Sequence, residues 1–446
     1  MSVASNVDGK KVKLPTGARW TAVALVSGCI AINYVDRVNL SVATPTLMEV
    51  FNLDAAQMGV LMSAFFWSYM LIMIPAGICL NRWGAKMVMG LSCFFWGVAT
   101  IATALVTGYW TFMAVRIALG LAEGPAFPAA AQVVSLWIPR RERTFSSACF
   151  DCCARVGSAS APPLVAWIIV HWGWQASFVI TGLLAVVYSF IWFAKYYEPS
   201  KHPKVSKEEM AYIRQDEVVN NEGFVVTTKP VPVPLLFTYR KTLFLFLGYF
   251  CYLYYWNVFI SWIPAYMVQA RGMDLKAMGI AAMIPFLVAI PMEVFGGWFF
   301  DKLQIKGVSV NKARRSGMGI CMFGGSLTLL MAVNAATPIS AVVWLTVSMS
   351  IYSFGASNVW TVPNDIAPYG QVGTIGGTMN TVGQFSGLLA PLVSGFLIKW
   401  GETPQAGYDS ALYLVIAVAI VGGFFYILND YTRLVPRNAE QVTSHM

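Results

Sequence analysis

The chain has 446 residues, of which 57% are hydrophobic and only 11% charged. A soluble protein carries about a quarter charged residues, so a water-soluble enzyme or binding module of this size is excluded. The net charge of +9 is no nucleic-acid signature, because the basic residues sort by side of a membrane rather than into one patch.

A spanning helix needs about 20 mostly apolar residues, and that pattern recurs twelve times. The predicted stretches are 17–44, 56–80, 85–107, 109–133, 144–170 and 174–196, then 241–269, 276–300, 315–333, 338–363, 373–399 and 408–429. Glycine and proline are frequent within them, as spanning helices tolerate. Barrel strands would instead give alternating segments of about 10 residues. The first stretch lacks a small-residue cleavage site after a short apolar core, so it reads as a retained helix.

One long hydrophilic interval divides the chain. It holds KHPKVSKEEMAYIRQDEVVNNEG and then TTKPVPVPLL; Val205–Arg214 is predicted as a short amphipathic helix and the rest as extended linker. The predicted organisation is a tail over 1–18, a six-helix bundle over 19–196, a linker over 197–240, a second six-helix bundle over 241–430 and a tail over 431–446. A six-plus-six layout is what duplication of a six-helix unit produces. An internal echo supports it: Gly77 precedes Asn81-Arg82 by the same spacing that separates Gly297 from Asp301-Lys302.

Basic residues orient the chain. A cytoplasmic N-terminus puts Lys10, Lys11, Lys13, Arg19, Arg82, Lys86, Arg140, Arg141, Arg143, the loop 302–315, Arg433 and Arg437 inside, and leaves only Arg271, Lys276 and Lys399 outside. Both tails are therefore expected in the cytoplasm. The eight cysteines all lie in apolar stretches and read as small buried hydrophobes rather than a disulfide framework. His171, His202 and His445 lie at or beyond the membrane edges. With no metal spacing, phosphate loop or nucleophile elbow, neither an enzyme nor a cofactor or metal is expected.

The most informative residues are charges at membrane depth: Asp36, Glu123, Asp151, Glu293 and Asp365, with Arg37, Arg116 and Arg155. Each costs several kcal/mol unless paired or wetted, so such groups usually line a route for ions or substrate. Neighbouring helix residues point about 100° apart, so Asp36 and Arg37 cannot face one line; one can point into a central cavity while the other ties helix one to a neighbour. Arg116 and Glu123, seven apart, share a face about 10.5 Å apart. Burial raises a carboxyl pKa and a nearby arginine lowers it, so acids whose partners change can carry protons. The alternative is a set of static ion pairs that fix helix packing. In the fifth stretch Arg155 either pairs along its own helix with Asp151 or faces the cavity, where its planar fork can hold a carboxylate.

The seventh stretch is unusually aromatic. Residues 255, 259 and 262 share a face with 254 beside it, so Tyr254, Tyr255 and Trp262 are candidate substrate contacts. Glu293 and Asp365, near the ends of their helices, read as gate or helix-tying residues.

The loop after the second stretch resembles the cytoplasmic signature of the major facilitator superfamily, with Asn81 where an aspartate is usual. NYVDRVNLSVA, SAFFWSYMLIMIPAG, RIALGLAEGPAFPA, WIPRRERTFSSA and GGTMNTVGQFSGLLAPLVSGFL are similar to the anion:cation symporter family within it. That family includes bacterial D-galactonate, glucarate and hexuronate carriers and relatives of the vesicular glutamate and sialic acid transporters. The resemblance implies that Asp36 and Glu123 carry protons and that Arg37 and Arg116 serve anion binding and coupling. It also implies Tyr34 and Tyr69 near the substrate, with Trp360 and Asn380 as contacts from the second half; Gln384 is a further polar candidate. Arg155 stands where glutamine is common in the sugar-acid members.

The expectation is an all-α membrane protein of twelve transmembrane helices in the major facilitator fold. It would import an organic anion with protons by alternating access, as a monomer in a bacterial inner membrane. A sugar acid comes first, aromatic or small di- and tricarboxylates second, and a gradient-independent facilitator or exchanger is the remaining alternative. Lipid bilayer, protons and a small anion are the expected partners, without nucleic acid.

Overall fold

A computed structural model describes residues 17–139, 142–203, 205–206, 208–213, 232–359, 361–367 and 372–434. Among them the regular structure is helical throughout. Helix α1 is Ala18–Val50. Helix α2, Ala55–Thr103, opens on a capping box: Asp54 Oδ1 accepts from the Gln57 amide at 2.8 Å, and Gln57 Oε1 accepts from the Asp54 amide at 3.0 Å. These bonds satisfy amide donors that a helix start leaves orphaned. Next come α3 (Tyr109–Glu123), α4 (Ala126–Trp137) and α5 (Arg143–Lys195).

The second group is α6 (Arg240–Gln269), α7 (Leu275–Ile305), α8 (Val310–Val333), α9 (Pro338–Val359), α10 (Val372–Trp400) and α11 (Pro404–Leu428). Eleven helices among the described residues are long and apolar enough to cross a membrane, one of them the 47-residue run Cys149–Lys195 within α5. At about 1.5 Å per residue that run is more than twice the ~30 Å of a bilayer core. It breaks at Gly173 (φ 84°, ψ 167°), and α2 breaks likewise at Gly84 (φ 78°, ψ 166°). A Cβ makes that conformation costly, which is why glycine stands at both breaks.

Small residues let the helices within each group meet closely. A Cβ on Gly157 of α5 would sit 2.3 Å from the Ala31 carbonyl oxygen of α1, and one on Gly120 of α3 would sit 2.1 Å from that of Phe65. In the second group, Gly296 of α7 lies against the Phe354 carbonyl of α9. Linker residues 208–213 are helical and dock on the first group. There Glu209 accepts the Arg19 amide at 3.2 Å, Tyr212 donates to Glu142 at 2.7 Å, and Arg19 pairs with Glu142 at 3.2 Å. This is most of the predicted amphipathic helix; Arg214 falls outside the described residues.

The groups approach each other closely along one face. A Cβ on Gly59 of α2 would lie 2.6 Å from the Pro391 carbonyl oxygen of α10, and one on Gly279 of α7 would lie 3.0 Å from that of Pro162. Ser41 donates to the Ile260 and Ser261 carbonyls at 2.5 and 2.7 Å, and Asp54 meets Lys399 at 3.0 Å. Toward the opposite face the same helices part: on the same stripes, Gly77 of α2 and Gly377 of α10 have nothing within 4 Å of an added Cβ. That face carries both ends of the described chain. Gln132 in the middle of α4 donates to the Leu80 carbonyl, Glu142 just beyond α4 pairs with Arg19, and the Leu434 amide donates to Ile366 just before α10.

Candidate functional site: a charged cavity between the helix groups

Between the groups lies a cavity of about 160 Å³, many times the ~10–15 Å³ that one water needs. Its walls bring together eight residues singled out in the sequence: Tyr34, Arg37, Tyr69, Arg116, Asp151, Arg155, Asn380 and Gln384. Trp360 lies outside the described residues.

Arg37 is held from its own group. Its Nε donates to Glu123 Oε2 at 2.9 Å, and its guanidinium carbon lies 5.4, 5.0 and 4.9 Å from the ring centres of Tyr34, Phe65 and Tyr69. Ring faces attract a cation, more so when water is excluded. Glu123 is the last residue of α3, and its carboxylate crosses to Arg37 of α1. The chain then turns through Gly124 and Pro125, and Gly124 packs so tightly on Ile72 and Tyr69 that no side chain fits there. Arg116, expected to share a face with Glu123, donates to the Leu61 carbonyl at 3.3 Å and lies 5.1 Å from the Phe65 ring.

Asp36 points away from the cavity, as the angle between neighbouring helix residues requires. It is 3% exposed, and neither carboxyl oxygen has a hydrogen-bond partner. Around it stand Trp96, Thr100 and Thr181, with Glu123 beyond. Asn33, one turn earlier, is fully buried with its side-chain amide directed at Glu123. Buried, unmatched polar atoms like those of Asp36 are rare and need an explanation.

Arg155 behaves differently. It forms an ion pair with Glu293 of α7, donates through Nη1 to Ser353 Oγ of α9 at 3.4 Å, and lies 5.2 Å from the Trp256 ring of α6. Of the two alternatives for Arg155, the structure favours the one that faces the cavity: Arg155 and Asp151 both line it, and the ion pair Arg155 makes is with Glu293 of the other group. Asp365, read as a gate or helix-tying residue, pairs with Arg314 at 2.8 Å within the second group.

The aromatic helix presents a different face from the one expected. Its cavity stripe is Tyr249, Tyr252, Leu253, Trp256, Asn257 and Ile260. Tyr254, Tyr255 and Trp262 do not line the cavity: Tyr255 shares a hydrogen bond with Ser348 at 2.6 Å, Trp262 donates to the Pro391 carbonyl at 3.2 Å, and Tyr254 is buried. Asn257, which donates to Ser386 at 3.0 Å, is the signal that locates the stripe, as the one amide in the aromatic run.

Charge balance decides what the cavity can hold. Arg37, Arg116 and Arg155 face Glu123, Asp151 and Glu293, and Asp36 lies behind Glu123. Among the described residues Asp151, Glu123 and Glu293 match the three arginines in number, Asp151 on the cavity wall and the two glutamates as ion-pair partners behind Arg37 and Arg155.

The family model for the Major Facilitator Superfamily matches residues 26–391. The chain belongs to this superfamily. It is 31% identical over 448 residues to the "Probable galactarate/D-glucarate transporter GudP" of Bacillus subtilis (strain 168), covering 97% of this chain and 96% of that one. It is 32% identical to the "D-galactonate transporter" of Escherichia coli O6:H1, covering 93% and 96%, and 29% identical to the "Probable sulfoacetate transporter SauU" of Cupriavidus necator, covering 88% of each. Among solved structures, an inward-facing, occupied bacterial homologue of the lysosomal transporter Spinster superposes with a TM-score of 0.73 at 16% identity, covering 94% of this chain and 97% of that one. A D-xylose–proton symporter gives 0.73 at 13%, covering 93% and 98%. These structures share the fold. Membership of the superfamily sets the chain among membrane carriers rather than enzymes.

Proposed function

We propose that this carrier is a proton-coupled symporter that imports an organic anion, a sugar acid first among the candidates, by alternating access. The observation that carries the reading is the charge balance: acids at least match arginines around the cavity, so an anion entering alone leaves unpaired negative charge in a poorly solvated site, at a cost of several kcal/mol. Protonation of Glu123 releases Arg37 for the substrate carboxylate, and Asp36 behind it, buried without a partner, serves as the second proton site. Tyr34, Tyr69, Asn380 and Gln384 supply hydroxyl and amide contacts of the kind a sugar acid needs. The relatives named for galactarate, glucarate and galactonate support this substrate class.

In this reading the two long helices broken at Gly84 and Gly173 each cross twice, giving twelve crossings. Both tails lie in the cytoplasm of a bacterial inner membrane, and the carrier works as a monomer. The parted face around Gly77 and Gly377 then faces the cytoplasm, and the present conformation is inward-facing. The test is uptake of labelled sugar acids, dicarboxylates and aromatic acids into proteoliposomes, with and without an inward proton gradient. Accumulation that needs the gradient and disappears in Asp36→Asn and Glu123→Gln, while exchange survives in at least one, supports symport. Flux indifferent to the gradient and to both substitutions makes the protein a facilitator or exchanger.

A further inference from the structure

Arg155 and Glu293 have no role in the scheme above. Arg155 lines the same cavity as Arg37, and the Tyr34 side chain lies between their helices: it contributes a ring face to Arg37 and packs against α5 at Gly157, two residues beyond Arg155. Every contact described above for Arg155 comes from the opposite group, through Glu293, Ser353 and Trp256. Glu293 is also the more reachable of the two acids that hold a cavity arginine. Its side chain is 21% exposed, against 0% for Glu123. The titratable groups facing it are Arg155, Asp151 and Cys152 of α5 and Tyr252 of α6. Arg155 is the one cation among them.

We propose that Arg155 is a second anion-binding group, occupied by Glu293 when the carrier is empty, and that the carried molecule is a dicarboxylate whose far carboxylate takes the place of Glu293. The inference rests on the symporter reading and adds a second substrate carboxylate with a proton of its own. A proton from solution goes to the Glu293 carboxylate, the pair opens, and the far carboxylate of the substrate accepts two N–H bonds from the freed guanidinium. After the halves rock, Glu293 returns the proton to water on the open side and closes again on Arg155, displacing the carboxylate. Each carboxylate entering is matched by one proton, on Glu123 for the near end and on Glu293 for the far end, so these groups keep the loaded cavity as neutral as the empty one.

The test compares D-glucarate, with a carboxylate at each end, and D-gluconate, with one, in proteoliposomes of the full-length protein. Proton-to-substrate ratios come from reversal potentials. The expected wild-type result is a preference for glucarate and one more proton moved with glucarate than with gluconate. Arg155→Gln is expected to weaken glucarate uptake by roughly 30-fold or more, the size seen when a buried charge pair is truncated, and to weaken gluconate uptake far less. Glu293→Gln is expected to carry glucarate with one proton fewer. If either single variant folds poorly, the double variant Arg155→Gln/Glu293→Gln removes both members of the ion pair together and is expected to lose the same discrimination. Equal losses of both substrates in Arg155→Gln, or an unchanged proton ratio in Glu293→Gln, overturn the second site. Wild-type accumulation of gluconate but not glucarate, driven by protons, overturns it while leaving symport intact. Movement of neither anion overturns both readings together.

Discussion

Arg37 and Arg155 line one cavity, and each is held by a glutamate, yet their surroundings differ in kind. Arg37 takes its acid and its three rings from its own group of helices, so rocking the groups leaves that assembly intact. Arg155 takes its acid, its hydroxyl and its ring from the other group, so the same motion must break or remake them. The first arrangement suits a permanent binding element. The second suits one that senses which conformation the carrier occupies, since an element biases an equilibrium only through contacts that differ between its states.

The largest effect is expected at Arg37. Breaking a buried pair costs about 3–5 kcal/mol, so Arg37→Ala is expected to lower uptake and exchange together by roughly 10²–10⁴-fold. Glu123→Gln is expected to lose only gradient-driven accumulation; counterflow separates the two outcomes. The next effect is conformational. Gly377 stands in open space on the parted face, so Gly377→Cys reports how often that face is open. Adding Glu293→Gln is expected to slow thiol labelling there by about 10-fold, within the usual range of coupling energies; adding Arg37→Ala is expected to leave it unchanged. Equal responses would erase the distinction between the two arginines.

A smaller shift is expected from Gly59→Ala, which forces a methyl onto the Pro391 carbonyl. Overpacking costs about 1–3 kcal/mol, here charged to the conformation in which that face is closed, so distances between spin labels across it should lengthen. The smallest effect belongs to Tyr255→Phe. Loss of its bond to Ser348 is expected to cost about 1 kcal/mol of stability with no change in substrate affinity, whereas Trp256→Ala weakens binding several-fold. An affinity loss in Tyr255→Phe would restore the discarded face of α6 to the site.

The fold was legible because a run of apolar residues has few stable alternatives to a spanning helix. Even the breaks at Gly84 and Gly173 fall between stretches predicted to end at 80 and 170 and to resume at 85 and 174. The first-half charges were legible for a similar reason: Arg37, Arg116 and Arg155 are too costly at that depth to be incidental, and all three line the cavity. The face of α6 was not. Eight aromatic residues between 249 and 262 leave little contrast between a side packed on helices and a side facing a cavity, and hydroxyl-bearing rings suit either. The partner of Arg155 was hidden by range. Asp151 is four residues away on the same helix, while Glu293 lies in another helix group, and only tertiary packing chooses between them.

The face on which the groups meet is sealed at its rim by Asp54 and Lys399, with side chains 39% and 47% exposed. A pair so exposed is worth about 0–1 kcal/mol and weakens as salt screens it over a Debye length of about 8–10 Å. Ionic strength in the medium bathing that face therefore acts on the working cycle directly. The carrier is expected to leave its closed state sooner in a saline medium than in a dilute one, although salt touches neither the cavity nor the substrate.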